Sequence, residues 1–299
     1  MGEVPILNAS GCLDALAAPD VAGALDAFVT KTITPLPREG NPPVRIAETE
    51  HGMLNSIGLQ GPGIDRFLDE HLPRLGEIGV PIWVSVGGFS ADDFAQCCAL
   101  LDERDEVATI ELNLSCPNVD DGADTATAIV EAARAATSKP LYAKLSPATW
   151  DLASVARAVQ AAGADGLTLV NTMRGLALDA RTLRPQLAAA TGGYSGPAMK
   201  PIALAAVWTC YRATRMPIVG IGGIASGADA MEFVAAGASV VGVGTALFAD
   251  PQSPSRIRAE LAREIARKQF ACIDDAVGAA HGGALSITTT ATRATAAKS

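Results

Sequence analysis

Eight short apolar segments, separated mostly by helical repeats, constrain this 299-residue chain more than any other feature. They are Val4 to Leu7, Ala27 to Thr32, Pro81 to Val86, Thr109 to Leu114, Leu141 to Leu145, Gly166 to Val170, Pro217 to Gly220 and Ser239 to Val243. Between them apolar residues recur at three- and four-residue steps, as in Ile64, Phe67, Leu68, Leu72 and Leu75, the period of a helix with one buried face. Helices are likewise expected over Ala91 to Leu101, Thr125 to Ala136, Leu152 to Ala162, Ile202 to Thr214, Ala228 to Ala236 and Pro254 to about Arg267. Such alternation builds parallel βα units, and eight of them close into a barrel. The expected fold is therefore α/β, a (β/α)8 TIM barrel with a parallel eight-stranded core. A doubly wound sheet is the competing architecture. Two polar, Gly/Pro-rich passages, Pro35 to Gly63 and Asn171 to Pro201, are expected as insertions at the C-terminal face. No linker divides the chain, so residues 1–299 are expected as a single domain, with 271–299 a loosely attached tail rich in Ala, Gly, Ser and Thr.

What favours the barrel is how the strands end. They finish on Ser10, Lys31-Thr32, Ser85, Asn113, Lys144, Asn171-Thr172, Gly222-Gly223 and Gly244-Thr245. In a parallel barrel all these ends share one face, where enzymes of this architecture build their sites. Polar residues follow strands in any protein, because loops do, yet this selection of chemistry at all eight ends points to a ligand.

The glycine pairs after the last two strands expose backbone amides in the slots where barrels commonly bind phosphate. Lys144 closes an otherwise apolar strand, and a buried ammonium needs an anion or a delocalised negative charge nearby unless it reaches solvent. Lys31 poses the same question. Six lysines serve the whole chain, so two at one mouth suit a phosphate-bearing cofactor together with an anionic substrate. Cys116 follows the fourth strand; nucleophile, redox thiol and proton-abstracting base are all open to it, beside the plainer reading of a small buried hydrophobe. Asn55, Asn113, Asn118 and Asn171 can donate and accept at once, which suits a ring with alternating carbonyl and N–H groups, such as a pyrimidine.

Composition excludes several classes of partner. A net charge of −9 leaves no dominant basic surface for nucleic acid or an anionic membrane. No apolar run approaches the ~18 residues of a membrane span, and the N-terminus has neither the basic nor the apolar region of a signal peptide. A cytoplasmic protein is expected. The six cysteines form no CxxC pair, so neither a metal site nor an iron–sulfur cluster is expected.

Taken in order, the motifs Asn8-Ala9-Ser10-Gly11, Lys31-Thr32-Ile33-Thr34, Gly52 to Leu59, Asn113-Leu114-Ser115-Cys116-Pro117-Asn118, Lys144-Leu145-Ser146-Pro147, Asn171-Thr172, Gly192 to Ala198, Gly222-Gly223-Ile224 and Gly244-Thr245 resemble the class 1 dihydroorotate dehydrogenases from about Leu7 to Phe248. The cysteine in the fourth motif resembles class 1 rather than class 2, which carries serine there. The resemblance implies one FMN-binding barrel domain that oxidises (S)-dihydroorotate to orotate in de novo pyrimidine biosynthesis. It implies that Cys116 removes the C5 proton while hydride passes from C6 to flavin N5. It places Lys31, Asn55, Ser56, Ile57, Gly58, Leu59, Asn113, Asn171 and Thr172 around the substrate. For FMN it implies Ser10, Lys31, Thr32, Ser85, Asn113, Lys144, Val170, Gly196, Gly222, Gly223, Gly244 and Thr245.

The chain departs from the family's pattern in two places. Ser85 stands where an asparagine usually contacts FMN, and the loop after Asn118 runs Val119-Asp120-Asp121-Gly122-Ala123-Asp124 instead of a Gly-Gly and aromatic-Gly sequence. Three aspartates would raise the Cys116 pKa if they approached it. The wording of Ile57 to Gln60 and of Gly192 to Pro197 looks most like the NAD-linked class 1B catalytic subunit. That branch implies a homodimer working with a second subunit that carries FAD and an iron–sulfur cluster. A fumarate-using enzyme without that subunit, a flavin oxidoreductase for another dihydropyrimidine and a non-redox phosphate-ligand barrel are the alternatives.

Overall fold

A computed structural model of the chain describes residues 3–115, 123–270 and 272–282. Eight of its strands are parallel and hydrogen-bonded in one sheet: β1 (Ile6–Asn8), β2 (Phe28–Val29), β5 (Ile82–Val86), β6 (Val107–Asn113), β7 (Leu141–Leu145), β8 (Gly166–Leu169), β11 (Ile218–Ile221) and β12 (Val240–Val243). Their order is β1-β12-β11-β8-β7-β6-β5-β2. A parallel bridge from Leu7 to Ala27 joins the two ends, closing the expected barrel. At that seam β2 is only two residues long, and a side chain reinforces the pairing. Asn8 donates from Nδ2 to Val29 O at 2.8 Å, and its Oδ1 accepts from Val29 N–H at 2.8 Å.

Alternation along each strand separates two apolar layers. Ile82, Val84 and Val86 of β5, and Leu141, Ala143 and Leu145 of β7, pack outward in one cluster with helix residues such as Phe94, Leu101 and Val159. On the other face Trp83 and Tyr142 join Leu7, Val29, Val219 and Ile221 inside the barrel. The two rings lie 4.7 Å apart. Interior positions nearer the C-terminal ends are polar instead: Ser85, Glu111, Lys144 and Thr168 are all buried.

The two polar passages are not structureless. They supply β3 (Ile46–Thr49), β4 (Gly52–Asn55), β9 (Met173–Leu176) and β10 (Thr191–Ser195), an antiparallel sheet of order β3-β4-β10-β9 with its own small core of Ala47, Leu54 and Leu187. Glycine permits the close approach of its strands. A Cβ on Gly192 would stand 2.5 Å from Asn55 O, and one on Gly52 would stand 2.1 Å from Ser195 O.

The helix expected from Ile64 to Leu75 also differs in detail. It runs as α-helix over Ile64–Arg66, a π-helical turn over Phe67–His71 and α-helix again over Leu72–Gly76. Pro73 has no N–H to give the preceding turn, and Leu72 N–H reaches back to Phe67 O, five residues earlier; the wider turn absorbs the mismatch. Within 272–282, Ala276 is buried, Gly278 N–H donates to Val234 O at 3.0 Å and the His281 ring stacks 3.7 Å from Trp208. No helix among the described residues is long and apolar enough to cross a membrane.

Candidate active site

The loops after the barrel strands, together with the small sheet, enclose a cavity of about 1240 Å³ at the C-terminal face. Its floor is a connected row of side chains from five strand ends. Thr172 N–H donates to Asn171 Oδ1 at 2.8 Å, which fixes that amide's orientation and turns its Nδ2 toward Asn113. Asn171 Nδ2 then donates to Asn113 Oδ1 at 2.9 Å, and Asn113 Nδ2 donates to Thr32 Oγ1 at 3.1 Å. Thr32 Oγ1 lies 3.1 Å from Ser85 Oγ and 3.5 Å from Ser10 Oγ. One backbone N–H thus sets the polarity of the row, with both amides donating in the same direction.

Charge enters from two lysines lining the cavity. Gly11 (φ +78°) leaves room for Lys31: a Cβ there would stand 2.6 Å from its Cδ. Lys144 meets a carboxylate, since its Nζ lies 3.5 Å from Glu111 Oε1, with side-chain exposures of 7% and 2%. Glu111 carried no signal in the sequence beyond its place in an apolar strand. Cys12 also lines the cavity. Burial pushes its thiol up from 9.0, against the opposing pull of Lys144 and Lys31. This cysteine is therefore a neutral thiol at neutral pH.

At one end of the cavity the turns after β11 and β12 present glycines. Gly222 (φ +131°) and Gly223 (φ +78°) hold a conformation that side chains disfavour, and a Cβ on Gly223 would meet Lys200 N at 2.8 Å. The N–H groups of Gly223 and Thr245 have no acceptor among the described residues. Thr245 Oγ1 donates to Ser195 Oγ at 2.8 Å, tying this end to the small sheet. Above the floor, Asn55 Nδ2 donates to Gly193 O at 3.2 Å, and Ser56 Oγ accepts from Asn41 Nδ2 at 2.7 Å.

Of the expected site residues, Ser10, Lys31, Thr32, Asn55 to Leu59, Asn113, Lys144, Val170, Asn171, Thr172, Gly196, Gly222, Gly223, Gly244 and Thr245 all line this one cavity. Ser85 does not. It is fully buried beneath Thr32, and its N–H is taken by Thr30 Oγ1 at 3.1 Å. Cys116 and Asn118, with the aspartates at 120 and 121, lie outside the described residues. The cavity also gathers Arg38, Phe89, Arg174 and Tyr194. Arg38 sits 4.7 Å over the Phe89 ring. Three of these four stand in the passages read as polar insertions, and two of them, Arg174 and Tyr194, are directed by strands of the small sheet.

The family model described as Dihydroorotate dehydrogenase matches residues 3–265. The chain belongs to the dihydroorotate dehydrogenase family. Among its relatives, the protein named dihydroorotate dehydrogenase B (NAD(+)), catalytic subunit, of Trichlorobacter lovleyi is 44% identical over 265 residues, covering 86% of this chain and 87% of the relative. Proteins of the same name from Pelobacter propionicus (46%, covering 85% and 86%) and Geobacter sulfurreducens (45%, covering 86% of each) agree. The solved structure of the dihydroorotate dehydrogenase of Eimeria tenella with ferulenol superposes with a TM-score of 0.79 at 24% identity, covering 93% of this chain and 86% of that one; this supports the barrel fold. Dihydroorotate dehydrogenases are flavin-dependent oxidoreductases, and this cavity fits such a cofactor. It offers glycine turns with unclaimed N–H groups for a phosphate and a hydroxyl and amide row beside a lysine for a polar ring.

Proposed function

We propose that this chain, as a single FMN-binding domain, oxidises (S)-dihydroorotate to orotate with FMN bound across the barrel mouth. The observation that carries the reading is the directed amide row. With its Oδ1 held by Thr172 N–H and one Nδ2 proton given to Asn113, Asn171 keeps a second N–H for a ligand carbonyl. Lys31, at the same cavity, supplies a counter-charge for a carboxylate. A planar ring bearing carbonyls and one carboxylate is complementary to that set. Asn55 to Leu59, on the strand and turn of the small sheet, cover the ring from above, with Asn113, Asn171 and Thr172 beneath.

Gly223 and Thr245 N–H groups take the cofactor's phosphate. Ser10, Thr32, Asn113, Lys144, Val170, Gly196, Gly222 and Gly244 bound the rest of its site. Bound there, FMN supplies the acceptor for the hydride that leaves C6 of the substrate. Cys116, one residue beyond the cavity-lining Ser115, takes the C5 proton onto its sulfur. Its ordinary pKa of ~8.5 can be poised near neutrality by the lysines. Cys12 is unsuited to that task, because burial holds its proton on. Ser85 serves the site only through Thr32.

The relatives are named as catalytic subunits of an NAD-linked enzyme, which supports a second subunit; in this reading the chain is a homodimer and that subunit bears FAD and an iron–sulfur cluster that pass electrons to NAD. Three measurements test this reading. Orotate titrated into the FMN-loaded protein should perturb the flavin spectrum; none at millimolar orotate sinks the substrate assignment. Cys116→Ser should lose most turnover at neutral pH, and unchanged turnover refutes the base. After anaerobic reduction by dihydroorotate, rapid reoxidation by fumarate alone would refute the NAD-linked assignment.

A further inference from the structure

Glu111 and Lys144 are the only charged residues among the described residues that are buried as whole residues, at 1% and 6% exposure. The strand pattern dictates that they meet. On the β6–β7 register Asn113 pairs with Lys144, so the two side chains share the interior face. Glu111, two residues before Asn113, lies on that face one level deeper. Their charged atoms approach to 3.5 Å. On the other side of Lys144, the β7–β8 register pairs it with Thr168, whose buried hydroxyl has no partner in the structure. Glu111 is thus the counter-charge available to this ammonium from below, and the cavity lies above it.

A carboxylate taken out of water is costly, and a strand interior would house a leucine there more cheaply. The position is explained if the charge acts on the cavity. We infer that Glu111 is a positioning residue for Lys144. It holds the ammonium at the cavity floor and tempers the positive potential that a bound flavin feels. The pair forms a fixed dipole whose positive end faces the cavity, so the lysine would favour an anionic reduced flavin held there while the glutamate would limit that preference. This inference rests on the FMN reading of the cavity.

The test is the midpoint potential of bound FMN in four variants, measured anaerobically against a reference dye. Glu111→Gln keeps a hydrogen-bonding group but removes the charge. It should shift the flavin equilibrium toward the reduced form at least tenfold, about 30 mV for a two-electron couple. Glu111→Asp withdraws the charge by one methylene and should shift it the same way by less. Lys144→Met should shift the equilibrium toward the oxidised form. The double variant Glu111→Gln/Lys144→Met should match Lys144→Met within twofold. Once the ammonium is gone, Glu111 has no cation left to position at the floor, so its substitution should no longer move the potential.

A purely structural glutamate predicts otherwise: altered stability with an unmoved potential. An unchanged potential in Glu111→Gln and Glu111→Asp overturns the inference, as does an equal shift by Glu111→Gln in both lysine and methionine backgrounds. Should Glu111→Gln fail to fold, Glu111→Asp and the charge-free double variant carry the comparison. Failure of the unsubstituted protein to bind FMN sinks the flavin reading and this inference with it. Normal FMN binding with indifferent Glu111 variants sinks this inference alone.

Discussion

The donor direction along the cavity floor depends on single atoms, so single substitutions test it. Asn171→Asp preserves the acceptor for Thr172 N–H but sets a carboxylate oxygen against Asn113 Oδ1, where a donor now stands at 2.9 Å. It also adds a negative charge beside an anionic substrate. An unmade hydrogen bond to a buried group costs on the order of 1–3 kcal/mol, so orotate affinity should fall at least about tenfold by flavin-spectrum titration. An unaltered dissociation constant would mean the row does not face the substrate. For Cys12 the sign of the shift gives a second expectation. A thiol raised above 9.0 by burial stays protonated at pH 8, and only the thiolate alkylates. Iodoacetamide at that pH should therefore leave Cys12 unmodified in the intact fold and label it after unfolding, as read by peptide mass. Residue-level legibility followed chemistry that breaks a pattern. Lys144 was visible because an ammonium ends an apolar strand, whereas Glu111 sits at an alternating position and looks like any half-exposed strand residue.

Strands of the barrel were legible because each is an apolar run closed by a polar group, and a buried parallel strand has little other way to be written. The antiparallel sheet at the mouth was not. Its strands span only four or five residues, bury one face, and use glycine where backbones meet, as at Gly52 and Gly192. Such segments read as turns. The π-helical turn before Pro73 was hidden for a different reason: apolar spacing records which face is buried and says nothing of a missing N–H. The two kinds of element should respond differently to damage. Leu101, fully buried on the helix Ala91–Asp102, and Leu54, 1% exposed in the small sheet, each fill a core. Truncation to alanine should cost about 2–5 kcal/mol in either place. Leu54→Ala, next to Asn55, should also weaken orotate binding, while Leu101→Ala should lower the melting temperature and leave orotate affinity alone. Equal ligand affinity in both variants would show that the small sheet does not shape the substrate site.

At the scale of the whole molecule, the cavity draws on every barrel strand. Ser10 follows β1, Lys31 and Thr32 follow β2, Phe89 follows β5, Asn113 and Lys144 end β6 and β7, Val170 follows β8, and Gly222 and Thr245 follow β11 and β12. Any ligand that fills it touches all eight, and at the β1–β2 seam the barrel is closed by a short backbone bridge together with the Asn8, Asp26 and Ser10 side chains. A ligand gripping both sides of that seam, Ser10 and Thr32, binds the closed barrel and has no equivalent site on an opened or unfolded chain. Mass action then fixes the sign and the size of the effect. At a hundredfold excess over its dissociation constant, such a ligand adds about 2.7 kcal/mol to the stability. For a chain of this length that is a rise of roughly 5 °C in melting temperature. FMN added to protein stripped of flavin should produce it, followed by circular dichroism at several FMN concentrations. The rise should grow with the logarithm of concentration once the site is full. Asn8→Ala, which cuts two side-chain hydrogen bonds across the seam without touching the cavity wall, should lower the melting temperature of the flavin-free protein and leave a larger share of the stability dependent on FMN. A melting temperature indifferent to FMN would mean that the cofactor does not span the barrel mouth, whatever else the cavity holds.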